Sequence, residues 1–300
     1  MSEVLVTSAE PTPADAASAT PGRTRRKGTL GIVGWLCALR LGLVAVAALL
    51  APFLPLDDPN ATDFFVDNNS SPGTGGHLLG TDNNGFDILS RLIWGGRVSL
   101  IVAVGVLAVG MVVGGGIGLL AGFYRGKLES ILMAIVDITL AFPSLLLLIA
   151  IVAFLGSDLK NVVLGISLVS IPAFARIARA TTLTFGQREF VLAARAAGAS
   201  NRRILVREIL PNVVLPVLAF GLLVVAIAIV AEGSLAFLGL TSLDTVSWGG
   251  MINGGRTPLQ RDGIAHVALF PTAVMFLTVL SVNYLGDRFR AAFDIKDAAL

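Results

Sequence analysis

Three ionisable residues stand inside long apolar runs of this 300-residue sequence: Arg40, Asp137 and Glu232. Charge in such a run is costly if the run crosses a membrane. Each must then pair with another polar group, face protein or line a wet pathway. From the residues alone, Asp137 and Glu232 keep two roles open: helix positioning through a partner, and direct contact with a solute. Arg40 is a candidate partner for either. Bond-making chemistry is not legible elsewhere. His77 and His266 are the two histidines, and neither has neighbours at metal-ligand spacing. Ser, His and Asp occur without the strand and turn that expose a nucleophile. A phosphate loop of the form Gly-x-x-x-x-Gly-Lys-Ser/Thr is missing, so Gly114, Gly115, Gly116 and Gly118 read as helix packing. The expectation is no catalytic residue, no metal and no cofactor in this chain.

The elements that must hold these residues are membrane helices. Hydrophobic residues make up 55% and charged ones 14%, against about 25% charged in a soluble domain. Mean hydropathy is +0.82. A spanning helix needs about 20 mostly apolar residues, and six segments qualify: 31–54, 98–123, 130–155, 161–181, 213–240 and 265–285. Pro143 and Pro172 are placed to kink the third and fourth. Residues 1–28 are rich in Ala, Ser, Thr and Pro and read as a disordered tail. The run after Arg23, Arg25, Arg26 and Lys27 is too long for a signal peptide and reads as a retained first span. Cys37 is the lone cysteine, so no disulfide forms within the chain.

The loops give sidedness. Arginine and lysine concentrate in the first tail, at Arg125 and Lys127, through Arg176 to Arg207, and at Arg288, Arg290 and Lys296. By the positive-inside rule those segments are cytoplasmic, as are both termini. The pI of 9.0 is thus a topology signal and not a nucleic-acid footprint, because no basic face with interleaved aromatics occurs. The outer segment 55–97 is too long for a connector. The inner segment 182–212 is polar yet periodic. An alanine-rich helix gives way at Gly198, and Ser200 or Asn201 caps a second short helix. That helix carries Ile204, Leu205 and Ile209 on one face and is expected to stop at Pro211. An apolar stripe in water with an arginine rim suggests a docking surface.

REFVLAARAAGASNRRILVREILPN resembles the Glu-Ala-Ala loop of binding-protein-dependent ABC importer permeases. Ala193, Ala194, Gly198, Leu210 and Pro211 match its spacing, while Leu192 stands in place of the usual Glu and Glu208 in place of the Ile. HLLGTDNNGFDILSRLIWGGRVSL, AEGSLAFLGL followed by WGGMI, and LGDRFRAAFD resemble the dipeptide, oligopeptide and nickel branch, in particular its second permease subunit. Phe86 sits where Arg is usual.

The resemblance implies an all-α membrane protein with six transmembrane helices in the type I importer permease fold. It divides the chain into a tail (1–28), a first helix with outer loop (29–97), a core (98–287) containing a coupling loop (182–212), and a C-terminal tail (288–300). It implies a non-catalytic subunit in the bacterial cytoplasmic membrane, surrounded by lipid. The partners would be a second homologous permease, two ATPase subunits binding ATP and Mg, and an extracytoplasmic substrate-binding protein, with peptides the favoured solute and nickel chelates or glutathione left open. Nucleic acid is not a partner. The coupling residues would be Glu189, Ala193, Ala194, Gly198, Ala199, Ser200, Leu210 and Pro211. An ion-coupled secondary transporter is the alternative; it would show inverted repeats, and none is evident.

Overall fold

The computed structural model describes residues 31–297 apart from 64, 243 and 244. The expected disordered tail, 1–28, lies outside the described residues. Among those described, the chain is helical, with two isolated bridges in the outer loop. Helix α1 covers Gly31–Leu50 and ends in a 3-10 turn, Ala51–Phe53. Helix α2 runs Ile88–Tyr124 through a π turn at Gly110–Gly114. Helices α3 (Gly126–Leu140) and α4 (Ser144–Leu155) form one span bent by 84°. Then come α5 (Leu159–Phe185), the short α6 (Glu189–Ala196) and α7 (Asn201–Phe237). Two short helices follow, α8 (Trp248–Gly254) and α9 (Arg256–Asp262), and α10 (His266–Asp297) closes the chain. Five helices are long and apolar enough to cross a membrane, and the bent pair makes the sixth span.

Three helix boundaries differ from the sequence expectation. Helix α2 starts at Ile88 and not near 98. Its polar first turns are absorbed by the loop: Ser90 Oγ donates to the Asp57 carbonyl (2.5 Å) and Arg91 to that of Pro59 (2.9 Å). Pro143 does break its span, whereas α5 runs on through Pro172. Helix α7 does not stop at Pro211. A π turn at Ile204–Ile209 widens the register just before the proline, so its missing N–H falls at a helical start, where it costs little. Helix α10 continues to Asp297, so the expected C-terminal tail begins as helix.

What holds the bundle is close backbone approach. Between helices in lipid there is no hydrophobic drive, so dispersion contact decides. Gly110, Gly114, Gly118 and Gly122 recur every four residues and form one stripe along α2. A Cβ on Gly114 would stand 2.7 Å from the Ile171 carbonyl oxygen. On Gly118 it would stand 2.7 Å from the Ala178 Cβ, and on Gly122 2.8 Å from the Thr182 Cβ. All three neighbours belong to α5, which places α2 on α5 with no room between. Phe174 fills the space beside Gly110 and packs edge-on against Phe220 of α7, ring centres 5.6 Å apart. Gly116, on the other side of α2, meets nothing.

The loop between α1 and α2 caps one end of the bundle. Asp87 caps α2 by accepting from the Ser90 N–H at 2.6 Å. Asp82 accepts from the N–H groups of Asn84 (2.8 Å) and Phe86 (3.1 Å) and faces Arg91 Nε at 3.6 Å. Arg91 lies over the Phe86 ring, 4.5 Å from its centre. Trp248 is buried against Gly95 and Gly96 and donates its indole N–H to the Leu92 carbonyl at 2.8 Å.

Buried His77 has Nδ1 2.9 Å from Asp87 Oδ1 and Nε2 3.2 Å from Asp63 Oδ2, with Asp57 4.0 Å from Nδ1. Burial alone would push the imidazole pKa down. The bonds to Asp87 and Asp63, with the charges of Asp87 and Asp57, outweigh it and hold the pKa above its ordinary value. Asp63 is held below the ordinary carboxylate value, first by the Phe65 N–H and then by His77.

Two predictions follow from this packing. Gly118→Leu forces α2 off α5 and destabilises the detergent-purified protein by about 1–3 kcal/mol or more, the scale of overpacking, which lowers its melting temperature. Gly116→Ala leaves it unchanged. For the cap, a raised histidine pKa stabilises fully below about 6.5 and loses that contribution as pH rises through the folded value. A lowered Asp63 contributes above the carboxylate range and loses its part as pH falls. Thermal stability is therefore greatest in mildly acidic buffer and declines on the alkaline side. His77→Gln lowers it and flattens the alkaline decline.

Candidate functional site

Residues 182–212 fold as a helical hairpin. Helix α6 ends at Ala196 with Ala197 as its C-cap, and Gly198 takes φ +76°, a left-handed turn that favours glycine. The turn is closed by N–H groups of Gly198 to the Arg195 carbonyl and Ala199 to the Ala194 carbonyl, both 3.0 Å. Ser200 caps α7 by accepting from the Arg203 N–H at 3.4 Å, the first of the two capping options.

Its two faces are unlike. Val191, Ile204, Leu205 and Ile209 are buried with Phe185 and Val213. The apolar stripe read as a docking surface therefore faces the chain's own core. It was misread because α5 and the start of α7 supply the apolar partner that the loop alone lacks. The outward face is small and polar: Glu189, Ala193, Ala196, Ala197, Gly198 and Ser200 are exposed, among Arg195, Arg202 and Arg203. A Cβ on Gly198 would meet nothing within the chain. Ala194, Ala199 and Leu210 are half-buried against the core, and Pro211 is exposed. Leu192, at the usual Glu position, lines a cavity of about 430 Å³ with Arg125, Gln187 and Arg195.

The intramembrane charges find separate partners. Arg40 does not pair with either acid. It donates to the Val274 carbonyl (2.9 Å) and to Thr278 Oγ1 (3.3 Å), tying α1 to α10. Asp137 of α3 pairs with Arg176 of α5 at 2.7 Å, and Glu129 pairs with Arg179 on the same two helices. Glu232 is buried in α7, with Ser247 as its side-chain partner and Oε1 left unbonded. Sequence distance hid the Asp137–Arg176 pair; an acid and a base in neighbouring apolar spans was the signal that could have found it.

Among the described residues, Asp57, His77 and Asp87 are the one group whose donor atoms, within 4.8 Å of one another, could hold a metal ion. No spacing rule pointed to it, because the outer loop folds distant residues together. Both ring nitrogens of His77 already face carboxylates, so the group closes on itself.

The outer signature residues, Gly80 to Ser99, serve the cap. Two sequence motifs meet there, since the tryptophan of WGGMI sits on the paired glycines of α2.

With this geometry in view, the comparisons are specific. The glutathione transport system permease protein GsiD of Pectobacterium atrosepticum is 41% identical over 256 residues, covering 85% of this chain and 83% of the relative. GsiD of Escherichia coli is 41% identical over 262 residues, covering 86% and 85%. Inward-facing structures of the MetNI methionine ABC transporter share the fold. One has a TM-score of 0.56 at 20% identity, covering 67% of this chain and 96% of that one. The ion-coupled alternative has no support among these relatives. Residues 114–296 match the family described as "Binding-protein-dependent transport system inner membrane component", and the chain belongs to that family, the permease subunits of ABC importers.

Proposed function

We propose that this chain is one of two permease halves of an importer for short peptides, and that the hairpin at Gly198 is where an ATPase subunit docks. The observation that carries the docking claim is the outward face of the hairpin. It is a left-handed glycine among exposed alanines with no contact inside the chain. Such a surface lets another backbone approach closely, while the buried face fixes it rigidly to α5 and α7. A rigid element is what force transmission needs. The peptide claim rests on the permeases of glutathione systems, glutathione being a tripeptide, and on the resemblance of the outer motifs.

In this reading both termini are cytoplasmic, and the cap around Trp248 and His77 faces the extracytoplasmic binding protein. ATP and Mg are bound by the ATPase subunits, and this chain turns over nothing alone. Leu192 and Glu208 depart from the family pattern on the hairpin, so the docking contact here leans on Gly198 and the alanines.

Gly198→Arg tests this. It adds bulk and charge to the outward face and leaves every span untouched, so expression and membrane insertion persist. Co-purification of the ATPase subunits, or ATP-driven uptake in vesicles, falls by about tenfold or more, as loss of a central contact does. Gly198→Asn tolerates the left-handed backbone and keeps more of both. Normal co-purification and uptake with Gly198→Arg would remove the hairpin from the coupling role.

A further inference from the structure

The Asp137–Arg176 pair is unusual for its setting. Asp137 lies eleven residues into α3, counted from Gly126, about 16 Å along the helix axis. Arg176 lies nine residues before the end of α5 at Phe185. The surrounding surface of α3 is apolar and exposed, at Ile131, Ile135 and Ile138. Yet the side chains of Asp137 and Arg176 are 57% and 56% exposed. A half-exposed ion pair inside a membrane-spanning segment is costly against hydrocarbon, which favours a wet pathway or further protein over lipid as its cover.

The pair also has capacity to spare. One hydrogen bond, Arg176 Nη2 to Asp137 Oδ1, joins the two residues. The second Asp137 oxygen and most of the guanidinium fork are open. Arg176 extends a face that is already a wall. Ile166, Val169 and Ala173 of α5 line a groove of about 300 Å³ with Ser144, Ser170 and Phe220, and Arg176, seven residues after Val169, follows at the edge of that face. The groove is apolar with a serine on each side, and its α5 wall leads to two open charges of opposite sign.

We propose that Asp137 and Arg176 form a station on the translocation path that holds a zwitterionic solute, its carboxylate on Arg176 and its ammonium on Asp137. This rests on the peptide-importer reading above. A free peptide carries both charges at fixed ends. Arginine binds carboxylate through parallel N–H donors, and the aspartate takes an ammonium by the same charge-assisted bonding. The apolar groove then accommodates a side chain. Because the residues already compensate each other, the empty station costs little, and the solute exchanges with the existing bond and is not trapped.

The test uses the whole importer, with both permeases, ATPases and binding protein, reconstituted in liposomes. The probes are glutathione and a set of unblocked dipeptides. The variant is the double change Asp137→Asn with Arg176→Gln, which keeps a neutral hydrogen bond between α3 and α5 but removes both charges. The expected result is an intact complex with the melting temperature of the wild type, and uptake of the peptides reduced by about tenfold or more, the scale of a lost charge-assisted contact. Unchanged uptake overturns the station. Failure of the double variant to assemble also overturns it, because the pair would then be a contact between permeases. Wild-type complex that imports none of the peptides refutes the peptide reading itself, and the station with it, and that result is visible before any variant is made.

Discussion

The architecture depends on the contact between α2 and α5 at backbone distance. Four glycines, Gly110, Gly114, Gly118 and Gly122, remove every side chain from one stripe of α2, and α5 lies in the space. In lipid, where burying a leucine gains nothing over leaving it in the bilayer, such contact is a main source of helix affinity beside interhelical polar pairs such as Asp137–Arg176. The consequence reaches both faces of the membrane. The end of α5 carries Thr182 and Phe185, which fix where α6 begins. The start of α2 carries Gly95 and Gly96, on which Trp248 sits. A shift of α2 on α5 would therefore move the inner hairpin and the outer cap together.

That rigidity suits a permease subunit of an importer. The hairpin's buried residues anchor it to the bundle, and the turn itself exposes only the small Ala196, Ala197 and Gly198. The polar network of the outer cap is nearly self-satisfied, with Asp82, Asp87, Arg91 and His77 each bonded to loop or helix. Polar groups at the bundle's two ends thus hold shape, while the open charges of Asp137 and Arg176 lie between the ends.

The sequence made the span count, the third-span break at Pro143, the capping by Ser200 and the turn at Gly198 legible, because each rests on local chemistry. The glycine motif was half legible. Gly114 and Gly118 pack as expected, but Gly116 packs on nothing, and Gly110 and Gly122 emerge only once α5 is seen beside them. What depended on three-dimensional neighbours was lost. Ile204, Leu205 and Ile209 looked like an exposed stripe until the fold buried them in one core with Val191, Phe185 and Val213. The start of α2 was hidden by Ser90, Arg91 and Arg97, although Asp87 was available as a cap. The partners of Arg40, Asp137 and His77 lie 234, 39 and 10 residues away, and no helical or strand period connects them.

The central claim is that the turn at Gly198 touches an ATPase. Cys37 is the one native cysteine, so Ala197→Cys in a Cys37→Ser background places a single thiol on the exposed side of the turn. A short bifunctional reagent applied to the ATP-hydrolysing complex should link this permease to an ATPase subunit, while Asn69→Cys in the outer loop should not. An active complex in which the Ala197 position links to no ATPase would contradict the account.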